Sequence, residues 1–371
     1  MRLSPTWRSI ADATTPGRVH VLGLGSIGTF AAHALAEVPK PAQVTLLLHR
    51  PNLMDEYVRN GRQVLLKTRQ GESVACSGYE FESLQDEKWY RTDPSLKMSS
   101  KPAFDTIQDV ILCVKTTQTV AALRPLVARL TPESSIMFLQ NGAGMIEDVN
   151  EHLFPEIKSR PNYITGVISH GVTLNSPFNI THTGAAATSI GLVPRHGAPR
   201  NNESSSILPR VSSYITRALP RVPRFNCRTY DWPDILQIQL EKLAVNAVSN
   251  PLCALSNTVT DYVFTIPEIC RALISEISAV AQALPELKGV SGVAKRFSPE
   301  VLGSTVMTIL DQNRETTCSM VWDMRAGRET EIRYINGYWS RRGRELGVLT
   351  PINDDLVARI EARTAELRRS K

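Results

Sequence analysis

A glycine-rich turn between two apolar runs limits the fold of this chain more than any other stretch. The run "RVHVL" begins at Arg18, the turn "GLGSIG" follows from Gly23 to Gly28, and "SIGTFAAHALAEV" has helical spacing. A second apolar run, "QVTLLLHR", ends at Arg50. Strand, tight turn, helix and strand make a βαβ unit, whose two strands are parallel. The sequence therefore predicts an α/β fold with an N-terminal Rossmann-type domain.

The turn itself matches the GxGxxG pattern of dinucleotide-binding folds. Gly23 permits a tight turn, Gly25 lets the backbone approach a pyrophosphate, and Gly28 lets the helix and the strand pack closely. The helix N-terminus then offers free N–H groups and a positive dipole end to the phosphates. We therefore expect the whole turn to bind the cofactor, namely Gly23, Leu24, Gly25, Ser26, Ile27 and Gly28. The alternative is a glycine turn in an α/β sheet that binds nothing.

The end of the second predicted strand indicates which dinucleotide is bound. An NAD-specific fold usually places Asp or Glu there, to bind the ribose 2′-hydroxyl. This chain has His49 and Arg50 instead. An arginine can make a charge-assisted hydrogen bond to a 2′-phosphate. The sequence therefore favours NADP(H) over NAD(H), the alternative being that Arg50 points to solvent.

The length of 371 residues and a change of pattern near Asp231 indicate two domains. We predict a flexible leader over residues 1–17 and a Rossmann-type NADP-binding domain over 18–230. A helical C-terminal domain for substrate binding and dimerisation is predicted over 231–371, and the cleft between the domains is the expected site. The predicted C-terminal helices are Leu236 to Ala254, Pro267 to Leu284, Pro299 to Gln312, Thr317 to Leu346 and Asp354 to Arg369.

Several stretches bear on location and on surface loops. Ser83 to Lys101 and Arg195 to Leu208 are rich in Ser, Pro, Asn and charged residues, and we interpret both as surface insertions. No run approaches the ~18 to 20 apolar residues that span a bilayer, so no membrane partner is expected. Residues 1–17 are basic with Asp12 as their only acid, which weakly resembles an organellar transit segment. We expect a cytoplasmic protein, with a mitochondrial one as the alternative.

Charge and cysteine usage exclude two further classes. The net charge of +6 comes from basic residues that are scattered among acids, without a nucleic-acid-binding module, so no nucleic-acid partner is expected. The six cysteines contain no CxxC pair, and the seven histidines form no metal-ligand spacing. We therefore expect free thiols and no metal site.

A polar stripe interrupts an otherwise apolar helix pattern at "LEKLAVNAVSNPL". Lys242, Asn246 and Asn250 recur every four residues, which places them on one narrow helix face. A buried amide needs several hydrogen-bond partners and is costly without them. A substrate cleft supplies such partners, whereas the alternative is a snorkelling lysine or a buried ion pair.

A second polar stripe is predicted downstream, in "CSMVWDMRAGRETEIRYINGYW". Ser319, Asp323, Gly327 and Glu331 also recur every four residues within the predicted helix. A solvated helix face would explain this segment alone. Together, one cationic and amide-bearing stripe and one acidic stripe with a hydroxyl suit a polar anionic substrate beside a nicotinamide ring.

Five motifs together resemble the ketopantoate reductases, or 2-dehydropantoate 2-reductases. They occur in the family's order from Arg18 to about Arg363, and they are "GLGSIG", "CVKTTQT", "LQNGAG", "KLAVNAVSNPL" and "SM..D...GR.TEI.YINGY...RG.E.G...P.N". The resemblance implies NADPH-dependent reduction of 2-dehydropantoate to pantoate, on the route to pantothenate and coenzyme A. It also implies a Rossmann-type domain followed by a helical domain, with the site between them.

The resemblance also implies roles for single residues. Lys242 would be the catalytic lysine that donates a proton to the 2-oxo oxygen, and Glu331 would complete the active-site network. Asp323 would orient a lysine. The substrate-binding residues would be Asn246, Asn250 and Ser319, and the cofactor-binding residues outside the glycine turn would be Arg50, Lys115 and Asn141.

One departure from the family bears on the substrate. A family asparagine expected shortly after the lysine helix is replaced by Thr260, with Asn257 nearby. Three hypotheses therefore stay open: a reductase of 2-dehydropantoate, a reductase of another branched 2-oxo acid, and a non-catalytic NADPH-binding protein. For the first two the partner is a small-molecule 2-oxo acid, and the chain is expected to be a monomer or a homodimer.

Overall fold

A computed structural model describes residues 17–38, 40–50, 52–93, 101–195 and 213–369 of the chain. The strands are β1 (Arg18–Leu22), β2 (Gln43–Leu48), β3 (Val64–Thr68), β4 (Ser73–Cys76), β5 (Glu80–Gln85), β6 (Lys88–Thr92), β7 (Lys101–Pro102), β8 (Asp109–Leu112), β9 (Ser135–Phe138), β10 (Asn162–Ile168), β11 (Gly171–Ser176), β12 (Asn179–Gly184), β13 (Thr188–Leu192) and β14 (Cys227–Thr229). The α-helices are α1 (Ser26–Ala36), α2 (Leu53–Arg59), α3 (Thr119–Leu123), α4 (Met145–His152), α5 (Tyr214–Ala218), α6 (Trp232–Ser256), α7 (Pro267–Ala283), α8 (Val293–Arg296), α9 (Pro299–Asp311), α10 (Ser319–Arg325), α11 (Asn336–Leu346) and α12 (Pro351–Arg369).

The main sheet has the order β14-β13-β10-β9-β8-β1-β2-β5-β6-β7 among the described strands. β1 pairs in parallel with β2 on one side and with β8 on the other, so that Leu22 lies beside both Leu47 and Leu112. β8, β9 and β10 continue the parallel run. The parallel βαβ unit predicted from the glycine turn is thereby confirmed.

The strand order reverses direction at β1, which places a crevice there. The chain leaves β1 for β2 and β5 on one side and later returns to β8 on the other side. In open parallel sheets, ligands bind outside the carboxyl ends of the strands at such a reversal. The glycine turn follows β1 at this edge, and Lys115 follows β8. The Cys113 N–H, which donates to the Leu22 carbonyl at 2.7 Å, holds the two loops together.

α1 lies between two sheets. Its Phe30 is completely buried and contacts the imidazole rings of His170 and His182. The second sheet has the order β11-β12-β3-β4, and its inward residues Leu66 and Ile180 share one core with α1 and the main sheet. Because both flanks of α1 are packed, its N-terminus is directed at a fixed point on the crevice.

From Trp232 onward the described residues form helices and 3-10 turns, without a strand. α6 is the central helix, with Leu240, Ala244 and Val248 completely buried among α7, α9, α10 and α12. The predicted fold class, an α/β domain followed by a helical one, is confirmed. No described helix is long and apolar enough to cross a membrane.

A proline inside α6 leaves one backbone carbonyl free, and a buried polar chain occupies it. Pro251 has no N–H, so the Ala247 carbonyl lacks its helical donor. The Asn336 side chain donates to that carbonyl at 3.0 Å and to the Asn353 side chain at 3.1 Å. Asn353 in turn donates to Glu276 of α7 at 2.8 Å. These side-chain hydrogen bonds thus connect α6, α11, α12 and α7, starting from the carbonyl that Pro251 leaves free.

Two local predictions are wrong. Ser83 lies in β5, and its hairpin partner β6 carries the buried Trp89, so residues 83–92 of this stretch extend the main sheet instead of forming a surface loop. The predicted helix from Thr317 to Leu346 is broken at Gly327, whose φ of 63° is left-handed. Residues 1–16, 94–100 and 196–212, and with them most of the leader and of the second insertion, lie outside the described residues.

A side chain at Gly28 has no room, and we expect Gly28→Ala to destabilise the fold. A Cβ at this position would lie 1.9 Å from the Gly23 carbonyl oxygen, so α1 must move away from β1. We expect the free energy of unfolding to fall by about 1–3 kcal/mol in urea denaturation. The control is Gly303→Ala in α9, where the Cβ would lie 3.8 Å from Ile274 and helix propensity should add up to about 1 kcal/mol. Parental stability of Gly28→Ala would contradict the close packing.

Candidate active site

The glycine turn has the shape of a phosphate cradle. Gly23 has a φ of 98°, and a Cβ there would lie 2.4 Å from the Val114 nitrogen. A Cβ at Gly25, by contrast, would meet no atom within 4 Å. No side chain caps the N-terminus of α1, where Leu24 is buried and Ser26 and Ile27 are half-buried. Open space thus lies directly in front of uncapped backbone N–H groups, which suits a pyrophosphate.

Arg50 lies just beyond the carboxyl end of β2, the strand that completes the βαβ unit. It follows β2, at the same edge of the sheet as the glycine turn, and its side chain is exposed. Its neighbour His49 is exposed as well, and neither residue is acidic. The residues present at this edge therefore fit a 2′-phosphorylated dinucleotide.

Lys242 lies in a narrow cleft between α6 and the main sheet. Its ammonium donates to the Asn141 side-chain oxygen at 3.0 Å and to the Ile168 carbonyl. Removal from water lowers the pKa of Lys242 to about 8, although the charge of Glu331 acts in the opposite direction. Asn246, one turn further along α6, lines the same cleft. The structure thus brings together Lys242, Asn141 and Asn246.

At a second point along α6, Asn250 contacts the residue that precedes Ser319. Asn250 is buried, and its backbone carbonyl accepts a hydrogen bond from the Cys318 thiol at 3.8 Å. Ser319 follows Cys318 as the first residue of α10, and it is exposed. The predicted stripe on α6 therefore runs from the lysine in the cleft to the start of α10.

Glu331 is held by donors from the Rossmann-type domain. One carboxylate oxygen accepts from the Thr116 N–H at 3.0 Å and from the Thr116 hydroxyl at 3.2 Å. The other oxygen accepts from the Lys115 ammonium at 3.5 Å. Glu331 and Thr116 are both buried. Each oxygen of this carboxylate is therefore satisfied by the facing domain.

Lys115 is paired with a second carboxylate. Its ammonium lies 2.7 Å from Asp323, whose other oxygen accepts from Arg328 at 3.1 Å. Burial acts to lower the pKa of Lys115, but Glu331 and Asp323 together outweigh it and raise that pKa. The lysine that Asp323 orients is thus Lys115. We call Lys115, Thr116, Asp323 and Glu331 the interdomain network.

Gly327 explains how two residues of the second predicted stripe still meet. The left-handed turn ends α10, where the Arg328 N–H donates to the Asp323 carbonyl at 2.8 Å. The chain then returns, so Glu331 reaches Lys115 from a loop before the 3-10 turn Ile332–Tyr334. Asp323 and Glu331 therefore do lie together, as predicted, but a turn brings them together and not a continuous helix face.

Sequence reasoning missed some site groups. Thr116 lies inside the motif "CVKTTQT", which was the available signal, whereas the Ile168 carbonyl gives no side-chain signal. Thr260 is buried, and its hydroxyl donates to the Thr316 carbonyl at 2.9 Å instead of facing the cleft. Among the described residues, no group of three or more His, Cys, Asp or Glu could hold a metal ion.

Comparisons with known proteins agree with this architecture. Residues 19–195 match the family model "Ketopantoate reductase PanE/ApbA", and residues 234–364 match "Ketopantoate reductase PanE/ApbA C terminal". A 2-dehydropantoate 2-reductase of Yersinia pestis is 30% identical over 70% of this chain and 75% of its own length. A ketoisovalerate reductase of Gibberella fujikuroi is 26% identical over 86% of this chain and 77% of its own length.

A solved structure shows the same fold. The PanE/ApbA family ketopantoate reductase of Ralstonia eutropha JMP134 superposes with a TM-score of 0.70 at 19% identity, covering 95% of this chain and 99% of that one. A two-domain oxidoreductase is the class that the fold and the cleft define. The chain belongs to the ketopantoate reductase family, whose members are NADPH-dependent oxidoreductases. The family, enzyme class and cofactor predicted from the resemblance are thereby confirmed.

We expect Thr116→Val to destabilise the protein by removing one donor from a buried carboxylate. A hydrogen bond to a charged group contributes about 1.5–3 kcal/mol, and the buried Glu331 carboxylate would lose one of its donors. The matched control is Thr188→Val, because the Thr188 hydroxyl is buried without a hydrogen-bond partner among the described residues. Chemical denaturation should show a loss for Thr116→Val and no loss for Thr188→Val. Equal effects of the two substitutions would mean that Thr116 does not support Glu331.

Proposed function

We propose that this chain is an NADPH-dependent 2-oxo acid reductase that converts 2-dehydropantoate to pantoate. The observation that carries the proposal is the position of the Lys242 ammonium. Two of its three N–H groups are directed at Asn141 and Ile168, which leaves one for a substrate oxygen in the cleft. A carbonyl oxygen that gains negative charge during reduction needs such a donor.

The proton transfer follows from the surroundings of Lys242. NADPH, when bound, supplies the hydride that reaches the 2-oxo carbon. Lys242 donates a proton to the oxygen of that carbonyl as the charge develops. With a pKa of about 8, its ammonium is the main form at neutral pH and still gives up its proton readily. The charge of Glu331 favours the ammonium, so the glutamate keeps the acid form available.

The cofactor-binding part of the proposal rests on four features of the crevice. The glycine turn and the uncapped N-terminus of α1 would hold the pyrophosphate. The guanidinium of Arg50 would bind the 2′-phosphate of NADPH. Lys115 follows β8 at the same crevice, where its ammonium would face the nicotinamide half. Asn141 would position that half beside Lys242.

The polar residues at the far end of the stripe favour 2-dehydropantoate as the substrate. This acid carries a terminal hydroxyl, which 2-ketoisovalerate lacks. The buried amide of Asn250 and the exposed hydroxyl of Ser319 would bind that hydroxyl, and pairing such groups gives strong discrimination. Reduction of 2-ketoisovalerate is the second candidate, because a relative over most of this chain is named for it.

The direct test is NADPH oxidation with a panel of 2-oxo acids. We expect turnover of 2-dehydropantoate with a higher kcat/KM than 2-ketoisovalerate, and a loss of about 10²–10⁴-fold in kcat for Lys242→Ala. The control is Lys295→Ala, since Lys295 is an exposed lysine of the same domain. Preference for 2-ketoisovalerate would support the second candidate. NADPH binding without turnover of any 2-oxo acid would refute both.

The pKa of Lys242 predicts the pH dependence of catalysis. This pKa is lowered from its usual 10.5 to about 8, so the proton donor is present below pH 8 and is lost above it. We expect kcat/KM for reduction to be flat below this value and to fall about tenfold per pH unit above it. Oxidation of the 2-hydroxy acid needs the neutral amine, so its kcat/KM should rise through the same pH.

Glu331→Gln tests the cause of that pKa. Removal of the negative charge that raises the pKa of Lys242 should move the reduction profile to lower pH. Glu329→Gln changes an exposed carboxylate nearby and should leave the profile in place. A profile that does not move in Glu331→Gln would exclude Lys242 as the titrating group.

A further inference from the structure

Two cysteines meet beside the proposed substrate residues. Cys318 directly precedes Ser319 at the start of α10, and Cys253 lies one turn beyond Asn250 on α6. The Cys318 thiol is 3.8 Å from the Asn250 carbonyl, which places its sulfur on the turn of α6 that carries Cys253. The Cys253 thiol donates to the Val259 carbonyl at 3.5 Å, and the two thiols are near enough to shift each other's pKa in opposite directions. A thiol pair thus bridges the two helices that hold the far end of the polar stripe.

The two thiols differ in access to solvent. Cys318 is half-buried and packs at the margin of the helical core, whereas Cys253 is 0% exposed. A small oxidant in solution therefore reaches Cys318 first. Cys253 is protected from solvent but adjacent to the sulfur of Cys318. This is the arrangement of an attacking thiol and a resolving thiol.

The electrostatics assign the same roles. The adjacent Cys253 thiol lowers the pKa of Cys318, with help from backbone N–H groups at the start of α10 and against the effect of burial. The neighbouring Cys318, together with burial, raises the pKa of Cys253. Cys318 is therefore the better nucleophile, because the thiolate is the reactive form.

We propose that Cys318 and Cys253 form a peroxide-driven disulfide that weakens substrate binding at Asn250 and Ser319. The effect on activity rests on the proposed reductase function, whereas disulfide formation does not. Such a bond would make the same cleft sensitive to oxidants through residues that are not needed for hydride or proton transfer.

The chemistry has two steps. The Cys318 thiolate attacks the O–O bond of a hydroperoxide, becomes a sulfenic acid, and leaves the peroxide reduced to an alcohol, or to water for hydrogen peroxide. The Cys253 sulfur then attacks the Cys318 sulfur and expels hydroxide, which departs as water with the Cys253 proton. Two thiols are oxidised to one disulfide, and one peroxide is reduced.

The disulfide would act on its neighbours through covalent geometry. The two sulfurs of a disulfide lie about 2 Å apart, much closer than two thiols that are not bonded. The start of α10 must therefore move toward α6, and the bond from the Cys318 thiol to the Asn250 carbonyl is lost. Ser319 moves with Cys318, because it is the next residue. A substrate hydrogen bond from its hydroxyl would then be misdirected.

The test treats the full-length reduced protein with hydrogen peroxide and maps its thiols. We expect a mass loss of about 2 Da beyond any other modification, and a peptide pair that links Cys253 to Cys318. Cys318→Ser and Cys253→Ala should each abolish the link, and thermal unfolding checks that both variants are folded. Cys76→Ser, which removes another half-buried thiol, should leave the link intact. A sulfinic acid at Cys318 without a link, or a link to Cys270, would overturn the proposal.

The functional arm compares kinetics before and after oxidation. We expect the KM for 2-dehydropantoate to rise about tenfold, the equivalent of one lost hydrogen bond, with recovery after dithiothreitol. Neither Cys318→Ser nor Cys253→Ala should respond to peroxide. A linked protein with unchanged KM would refute the control of substrate binding. Absence of activity in the reduced protein would refute the reductase function, while the peptide map still decides whether the disulfide forms.

Discussion

The buried pairing of Lys115 with Asp323 is the interaction on which the site depends. The Asp323 side chain is only 3% exposed, and a carboxylate so removed from water is costly without a cationic partner. That partner comes from the other domain, as do the Thr116 donors that satisfy Glu331. The domains therefore dock in the one arrangement that neutralises both acids, and the same arrangement places Glu331 near Lys242. The same ion pairs and hydrogen bonds thus hold the two domains together and organise the cleft.

Burial and the charge of Glu331 act in opposite directions on the pKa of Lys242. Burial alone would favour the neutral amine of Lys242. A neutral amine is a much poorer proton donor to a carbonyl oxygen than an ammonium. The charge of Glu331 offsets part of that effect, so the pKa of Lys242 settles at about 8. Among the described residues, Glu331 is hydrogen-bonded to Lys115 and Thr116, and no hydrogen bond joins it to Lys242. Distance is thus useful here, because a direct ion pair would occupy the N–H that the substrate needs.

The parts of the molecule that local pattern determines were predicted from the sequence. The βαβ unit was predictable because strand, glycine turn and helix each have a short-range signal, and the stripe on α6 because that helix is unbroken through Lys242, Asn246 and the proline. The segment after Ser319 was not, because one glycine in a left-handed conformation redirects the chain. The β5–β6 hairpin was missed because most of its residues are polar and only partly buried, as strands near the end of a sheet allow. The roles of the Ile168 carbonyl and the Thr116 N–H could not be predicted, because every residue type carries these backbone groups and the sequence does not show which of them face the site.

The proline of α6 has an evolutionary consequence. Pro251 frees the Ala247 carbonyl, Asn336 occupies it, and Asn353 holds Asn336 in place. A descendant that replaced Pro251 would restore the helical hydrogen bond and leave the buried Asn336 amide without one of its two acceptors. One that lost Asn336 first would leave the Ala247 carbonyl without a donor. Neither order of single changes is free of cost, so the three residues should be inherited or exchanged as a set. In related chains we therefore expect a proline at this turn to coincide with both asparagines.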